Sequence, residues 1–221
     1  LFNEEIDTAY FEDSDFSYRA RQAGYECVVA ADAYVYHQPF GKASSISMTR
    51  RQALIAKNRK WFESKWGKAV RLAMVYDHKS GSDEELQLIL DQARKIGLYD
   101  NHPHLILRIG KKRFRNFEEL LRAFQIDRTK SPNLKATLMD NPFFYVYALL
   151  RIGFKWRKRY DAVVCDKIPF LAGLIPFKWL LRFWLIHVKW SEGKMSIFPS
   201  KQVRNFHELS NIRKELRDGR A

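Results

Sequence analysis

The hydrophobic pattern of the chain changes its period near residue 67. In the first part, Phe16, Ala20 and Ala23 recur at i, i+4 and i+7 with Arg19, Arg21 and Gln22 between them, and Gly24 follows at once. This predicts one amphipathic helix with a glycine stop. Three carboxylates, Glu12, Asp13 and Asp15, stand at its start. Residues 26–30 and 33–36 are rich in β-branched and aromatic side chains and predict two short strands, leading to a loop that opens at His37. Residues 48–66 return to a helical pattern, with Leu54, Ile55, Trp61, Phe62 and Trp66 among basic residues and Gly67 at the end.

From residue 70 strands alternate with helices. The run VRLAMVY at 70–76 suits a strand buried on both faces, and DHKSGS leads from it into a helix over 83–96, where Leu86, Ile89, Leu90 and Ala93 share one face. Further strands are predicted at 104–109, 134–139, 160–166 and 185–188, with helices at 117–124 and 142–156. The tail after residue 191 is polar, with a helical pattern only at 208–217. Alternation of this kind implies parallel βαβ units with right-handed crossovers, so the expected fold is α/β, a Rossmann-like, mainly parallel sheet. The change of period divides the chain into residues 1–67 and 68–221. The first part holds too little to close a core by itself, so its three acids are expected to be open to solvent.

Composition adds two constraints. Of 221 residues 46% are hydrophobic, enough to bury a core. Of the 39 Lys+Arg and 25 Asp+Glu, residues 1–69 carry 10 and 9, so residues 70–221 hold 29 against 16 and nearly all of the +14 net charge. Such an excess favours anionic partners: nucleotide sugars, phosphorylated lipid carriers, an acidic membrane surface or nucleic acid. No RRM, KH or helix-turn-helix pattern accompanies it, which disfavours nucleic acid. Cys27 and Cys165 lie far apart in apolar runs without C-x-x-C spacing, as expected of reduced, buried thiols in a cytoplasmic setting. Residues 168–190 are strongly apolar, but Pro169, Pro176, Lys178 and Arg182 interrupt them and no spanning helix is predicted. Burial in a domain competes there with a place at a bilayer interface. The chain begins Leu-Phe-Asn, without the basic and apolar regions of a signal peptide.

Two resemblances follow. The series FNEEI, YFEDSDFSYRARQAGYECVVAADAYVYH and Asn58-Arg59-Lys60-Trp61-Phe62 resembles the C-terminal part of the catalytic domain of family-2 glycosyltransferases, so the first segment is expected to be a partial GT-A α/β unit. The resemblance implies inverting transfer of a sugar from a nucleotide-sugar donor to a glycan or lipid-linked acceptor, with Asp13 as the base that takes the acceptor proton. Glu12 and Asp15 would orient that base, bind acceptor or cap the helix, since acids in a first turn are favoured whatever the function. His37 would help to hold a divalent metal, Mg or Mn, or the diphosphate. More loosely, VRLAMVYDHKSGS and YDAVVCDKIPFLAGLIP resemble the N-terminal Rossmann-like domain of family-4 glycosyltransferases of the GT-B fold. Asp77, His78 and Asp166 then fall at strand ends where open α/β sheets place substrate contacts, though each is as well placed to cap the next helix. The loop Lys79-Ser80-Gly81-Ser82 departs from a glycine-rich phosphate cradle.

The expected whole is a multidomain glycosyltransferase working in the cytoplasm, peripheral at the inner face of the membrane. Its donor-binding halves are expected to lie outside this chain, which alone is expected not to transfer sugar. The alternative is a noncatalytic basic module that binds anions, nucleic acid or a membrane surface.

Overall fold

The computed structural model describes residues 2–6, 10–25, 27–28, 30, 32–36, 47–98, 100–110, 113–127, 133–154, 159–192, 194–198 and 203–205. The chain divides into two compact units between Lys68 and Ala69.

In the first unit, α1 (Glu12–Gln22) and α2 (Met48–Trp66) pack through aromatic side chains. Tyr18 meets Phe62 edge-on at 5.3 Å and Trp66 at 5.2 Å, and Phe11 lies 5.4 Å from Phe62. Ser47 caps α2 by accepting from the Arg50 amide, and Gly67, at a φ of 80°, ends it. The predicted strands at 26–30 and 33–36 do not form among the described residues. Val28, Tyr34, Val35 and Tyr36 stand mostly in solvent. A strand needs a ladder partner as well as β-favouring side chains, and no described residue pairs with these.

The second unit is an α/β sheet. Its elements are β1 (Arg71–Asp77), α3 (Asp83–Leu98), β2 (His102–Arg108), α4 (Phe117–Ala123), β3 (Lys135–Met139), α5 (Phe144–Gly153), β4 (Ala162–Cys165), α6 (Ile168–Gly173), α7 (Ile175–Leu181), β5 (Trp184–Lys189), β6 (Lys194–Phe198) and β7 (Val203–Asn205). The sheet order is β3-β2-β1-β4-β5-β6-β7. The first five strands are parallel, while β6 and β7 add antiparallel to the β5 edge. Both faces are covered. Leu72, Met74 and Tyr76 of β1 point into one core with α3 and α4, and Ala73 and Val75 into the other with α5, α6 and α7. That two-sided burial is why β1 reads as an unbroken apolar run.

The helices are set by local chemistry. Ser82 accepts from the Glu85 amide at 3.2 Å, and Asp83, Glu84 and Glu85 place three acids in the first turn of α3. Asn116 caps α4 by accepting from the Glu119 amide at 2.9 Å. Pro176 has no N–H to give to the Ala172 carbonyl, and the apolar stretch after β4 accordingly breaks into two helices around Leu174.

Candidate functional site

The chain winds outward from β1 in both directions, with α3 and α4 on one face and α5 to α7 on the other, so the connections after β1 and β4 diverge. In open parallel sheets the crevice between such diverging connections, at the carboxyl ends of the strands, is where ligands bind. Asp77 ends β1 in register with Arg108 of β2, and Asp166 follows β4. The structure thus brings Asp77, His78 and Asp166 to one edge.

They are not alike there. Asp77 is buried, and its two oxygens are taken, one by the Lys79 amide at 3.1 Å and the other by the Arg108 guanidinium at 3.0 Å. It organises the turn after β1. His78 is also buried, with Nε2 2.8 Å from the Arg113 guanidinium and 3.1 Å from Asp83. Burial, and then the charge of Arg113, holds its pKa below the ordinary value, which favours the neutral ring. Nε2 faces both a donor and a carboxylate, and Nδ1 has no hydrogen-bond partner. Asp166 pairs with Lys167 at 3.1 Å, a hydrogen bond that raises the lysine pKa, and its carbonyl lies 3.2 Å from His187 Nε2.

Sequence reasoning missed two residues of this edge. Arg108 and Tyr145 each leave a buried polar atom, Nε and the hydroxyl, without a hydrogen-bond partner. Burial, then the nearby Cys165, Asp166 and Asp77, pushes the Tyr145 hydroxyl far above its ordinary pKa, so it is a neutral donor. Both signals were present in the sequence only as an arginine ending a strand and a tyrosine within a helical pattern. Among the described residues of the edge four cations are paired with acids: Arg108 with Asp77, Arg113 with Asp83, Lys79 with Asp140 and Lys167 with Asp166. Cys165, fully buried, has its thiol pKa raised by burial and offers no nucleophile. A groove of about 570 Å³ between the later part of α3 and the end of α4 is lined by Asp91, Arg94 and Asp127, but lies away from the strand ends.

In the first unit the three acids of α1 separate. Asp15 corrects the expectation of solvent access: it is fully buried, accepting from Arg19 Nε at 2.8 Å, Lys65 Nζ at 2.9 Å and Trp66 Nε1 at 2.8 Å. Burial alone would raise its pKa, but the hydrogen bonds from Lys65, Arg19 and Trp66 together outweigh that and lower it. Glu12 is half-buried, with Oε2 lacking a partner, and Asp13 is exposed, accepting from the Ser14 amide at 2.7 Å. Before them Tyr10 and Phe11 both hold positive φ, 72° and 76°, which is costly for aromatic residues. The Asn58 side chain donates to the Tyr10 carbonyl at 3.2 Å, and Arg59 and Phe62 of the same motif lie against Phe11. The Asn-Arg-x-x-Phe element thus braces the turn that presents the acids.

His37 lies outside the described residues. Among the described residues no group of three His, Cys, Asp or Glu converges as a metal site. Both Asp15 oxygens are committed to cations and indole. No helix among the described residues is long and apolar enough to cross a membrane. Compared with protein-family models, with curated proteins and with solved structures, the chain matches none of them.

Proposed function

We propose that the chain is part of a glycosyltransferase that moves a sugar from a nucleotide-sugar donor to a glycan or lipid-linked acceptor, at the inner face of a membrane. The observation that carries this reading is the chemistry of the carboxyl edge. Three unspent hydrogen-bond groups, His78 Nδ1, Arg108 Nε and the Tyr145 hydroxyl, stand among described residues where four cations are each paired with an acid. Free cations would suit a polyanion. Neutral or acid-paired groups with unspent hydrogen bonds suit the hydroxyl and ring oxygens of a sugar, which bring many hydrogen-bond partners and no charge. This favours a glycan over the anion-binding alternative.

The resemblance of the first unit supplies the reaction. The acceptor hydroxyl oxygen attacks the anomeric carbon as the Asp13 carboxylate takes its proton, and the bond from that carbon to the diphosphate breaks, the nucleoside diphosphate leaving with the electron pair. Asp13 is the acid whose exposure permits this role; Asp15 is engaged in holding the two helices together. The test is transfer by the whole protein from a radiolabelled nucleotide sugar. Asp13→Asn is expected to lower the rate about 10²- to 10⁴-fold, the usual worth of a positioned base, with nucleotide binding retained. Unchanged transfer would remove Asp13 from the mechanism. Loss of nucleotide binding would make it a structural cap, and failure of every nucleotide sugar would overturn the reading itself.

A further inference from the structure

We infer that the outer face of α5, continued by α7, is a docking surface for an anionic lipid bilayer. This sharpens the membrane side of the reading above by naming the face, and it stands on burial and charge in the second unit alone. A helix that covers a sheet normally turns a polar stripe to water, as α3 does with Glu84, Gln87, Asp91 and Lys95. The outward stripe of α5 and its two end residues is apolar instead: Phe143, Val146, Leu150 and Phe154 are 70%, 56%, 48% and 59% exposed. They recur at i, i+3, i+7 and i+11, one line about 16 Å long at 1.5 Å per residue.

The line does not stop at the end of α5. Phe154 packs edge-on against Phe177 at 5.9 Å, and Leu180, one turn further along α7, is 60% exposed. Gly153 makes that junction close, since a Cβ there would stand 2.7 Å from the Phe177 ring. A contiguous apolar surface of this kind marks an interaction site.

Charge selects the occupant. The helices α5, α6 and α7 contain no acidic residue, while Arg151, Lys178 and Arg182 flank the apolar line near its far end. A second copy docking through the same face would set these cations against their own equivalents. A bilayer with anionic headgroups accepts both halves of the surface, the rings at the acyl boundary and the cations among the phosphates.

The test is flotation of the whole chain with vesicles of phosphatidylcholine alone and of phosphatidylcholine mixed equally with phosphatidylglycerol. Flotation is expected with the mixed vesicles only, and is expected to weaken as salt is raised. Lys178→Gln should lower partitioning about fivefold, the worth of one cation near an anionic surface. Leu150→Glu and, separately, Val146→Glu should each lower it about tenfold or more, with a little-changed melting temperature because about half of each side chain is already in solvent. The inference is overturned if the chain floats with neither vesicle, floats equally with both, or floats undiminished in the two Glu variants. It is also overturned if those variants abolish a dimer in sedimentation while the parent chain binds no lipid. Flotation uses neither donor nor acceptor, so its outcome is separable from that of the transfer assay.

Discussion

Replacing Asp15 with asparagine tests whether one buried carboxylate joins the two helices of the first unit. The change keeps the shape but turns one acceptor oxygen into an NH₂ group facing the donors Arg19, Lys65 or Trp66, and removes the charge that two cations share. Hydrogen bonds to charged groups are worth about 1.5–3 kcal/mol, and breaking a buried pair costs about 3–5 kcal/mol. Arg19 and Lys65 remain 36% and 35% exposed, so water recovers part of that loss. The expected destabilisation is about 2–3 kcal/mol. Native-state amide exchange reads it, with α1 and α2 expected to exchange about 30- to 150-fold faster and β1 and α3, in the other unit, unchanged. The effect has a defined pH window. The native pKa of Asp15 is depressed, so its contribution is full above the unfolded value of about 3.9 and is lost as pH falls through the lower native one. Parent and variant should therefore converge in strong acid. Exchange of α1 at the parent rate, or a difference independent of pH, would refute the clamp.

Three further outcomes are expected. Gly81→Ala would drive a Cβ into the Tyr76 hydroxyl, which donates to Glu85 at 2.8 Å; the cost in a urea titration should be about 1–3 kcal/mol, and Tyr76→Phe in the same chain should recover only part of it, since the ring Cζ still stands 2.6 Å from that Cβ. Strictly additive single effects would exclude that clash. An NMR titration of the His78 ring should give a midpoint below 6.5, rising when Arg113 is replaced by alanine, and a midpoint at or above 6.5 would contradict its burial beside a cation. Asn58→Ala should release the Tyr10 carbonyl and destabilise the turn before α1 by about 1–2 kcal/mol, read as faster exchange at residues 12–15; unchanged exchange would show that the turn needs no brace.

What the sequence revealed, and what it hid, follows from the range of the interactions. The parallel strands were legible because burial on both faces writes itself as a local apolar run, and β1 is observed within one residue of its predicted start. By contrast β6 and β7, KMSIF and VRN, have little strand character of their own. They are strands because β5 offers an edge, with Lys189 opposite Lys194 and Met195 opposite Arg204. The converse error occurred at residues 33–36, where β-favouring side chains have no partner among the described residues. The same limit applies to the sites. Three acids in one turn were all expected to be open to solvent, and what separates Asp15 from Asp13 is Lys65 and Trp66, which stand 50 and 51 residues away. Asp77, His78 and Asp166 were legible as strand-end residues, but the unspent donors of Arg108 and Tyr145 exist only once burial is known.

The distribution of charge links the two surfaces of the second unit. Residues 70–221 carry 29 Lys+Arg against 16 Asp+Glu, yet four cations and four acids cancel at the carboxyl edge, so the excess lies outside those pairs. Part of it flanks the apolar line of α5 and α7, helices that contain no acid of their own. A single basic site would bind its ligand and its surface through the same charges, and salt would weaken both together. Two sites of different chemistry respond differently. Between 0.1 and 1 M salt the screening length falls from about 10 to about 3 Å, which should strip the chain from anionic vesicles while leaving the binding of a neutral oligosaccharide nearly unchanged, since hydrogen bonds in a balanced site have no net charge to screen. Saturation-transfer NMR with a neutral oligosaccharide, run beside flotation over the same salt series, separates the two. If sugar binding fell in step with lipid binding, the carboxyl edge would be part of the basic surface and its ion pairs would not isolate it.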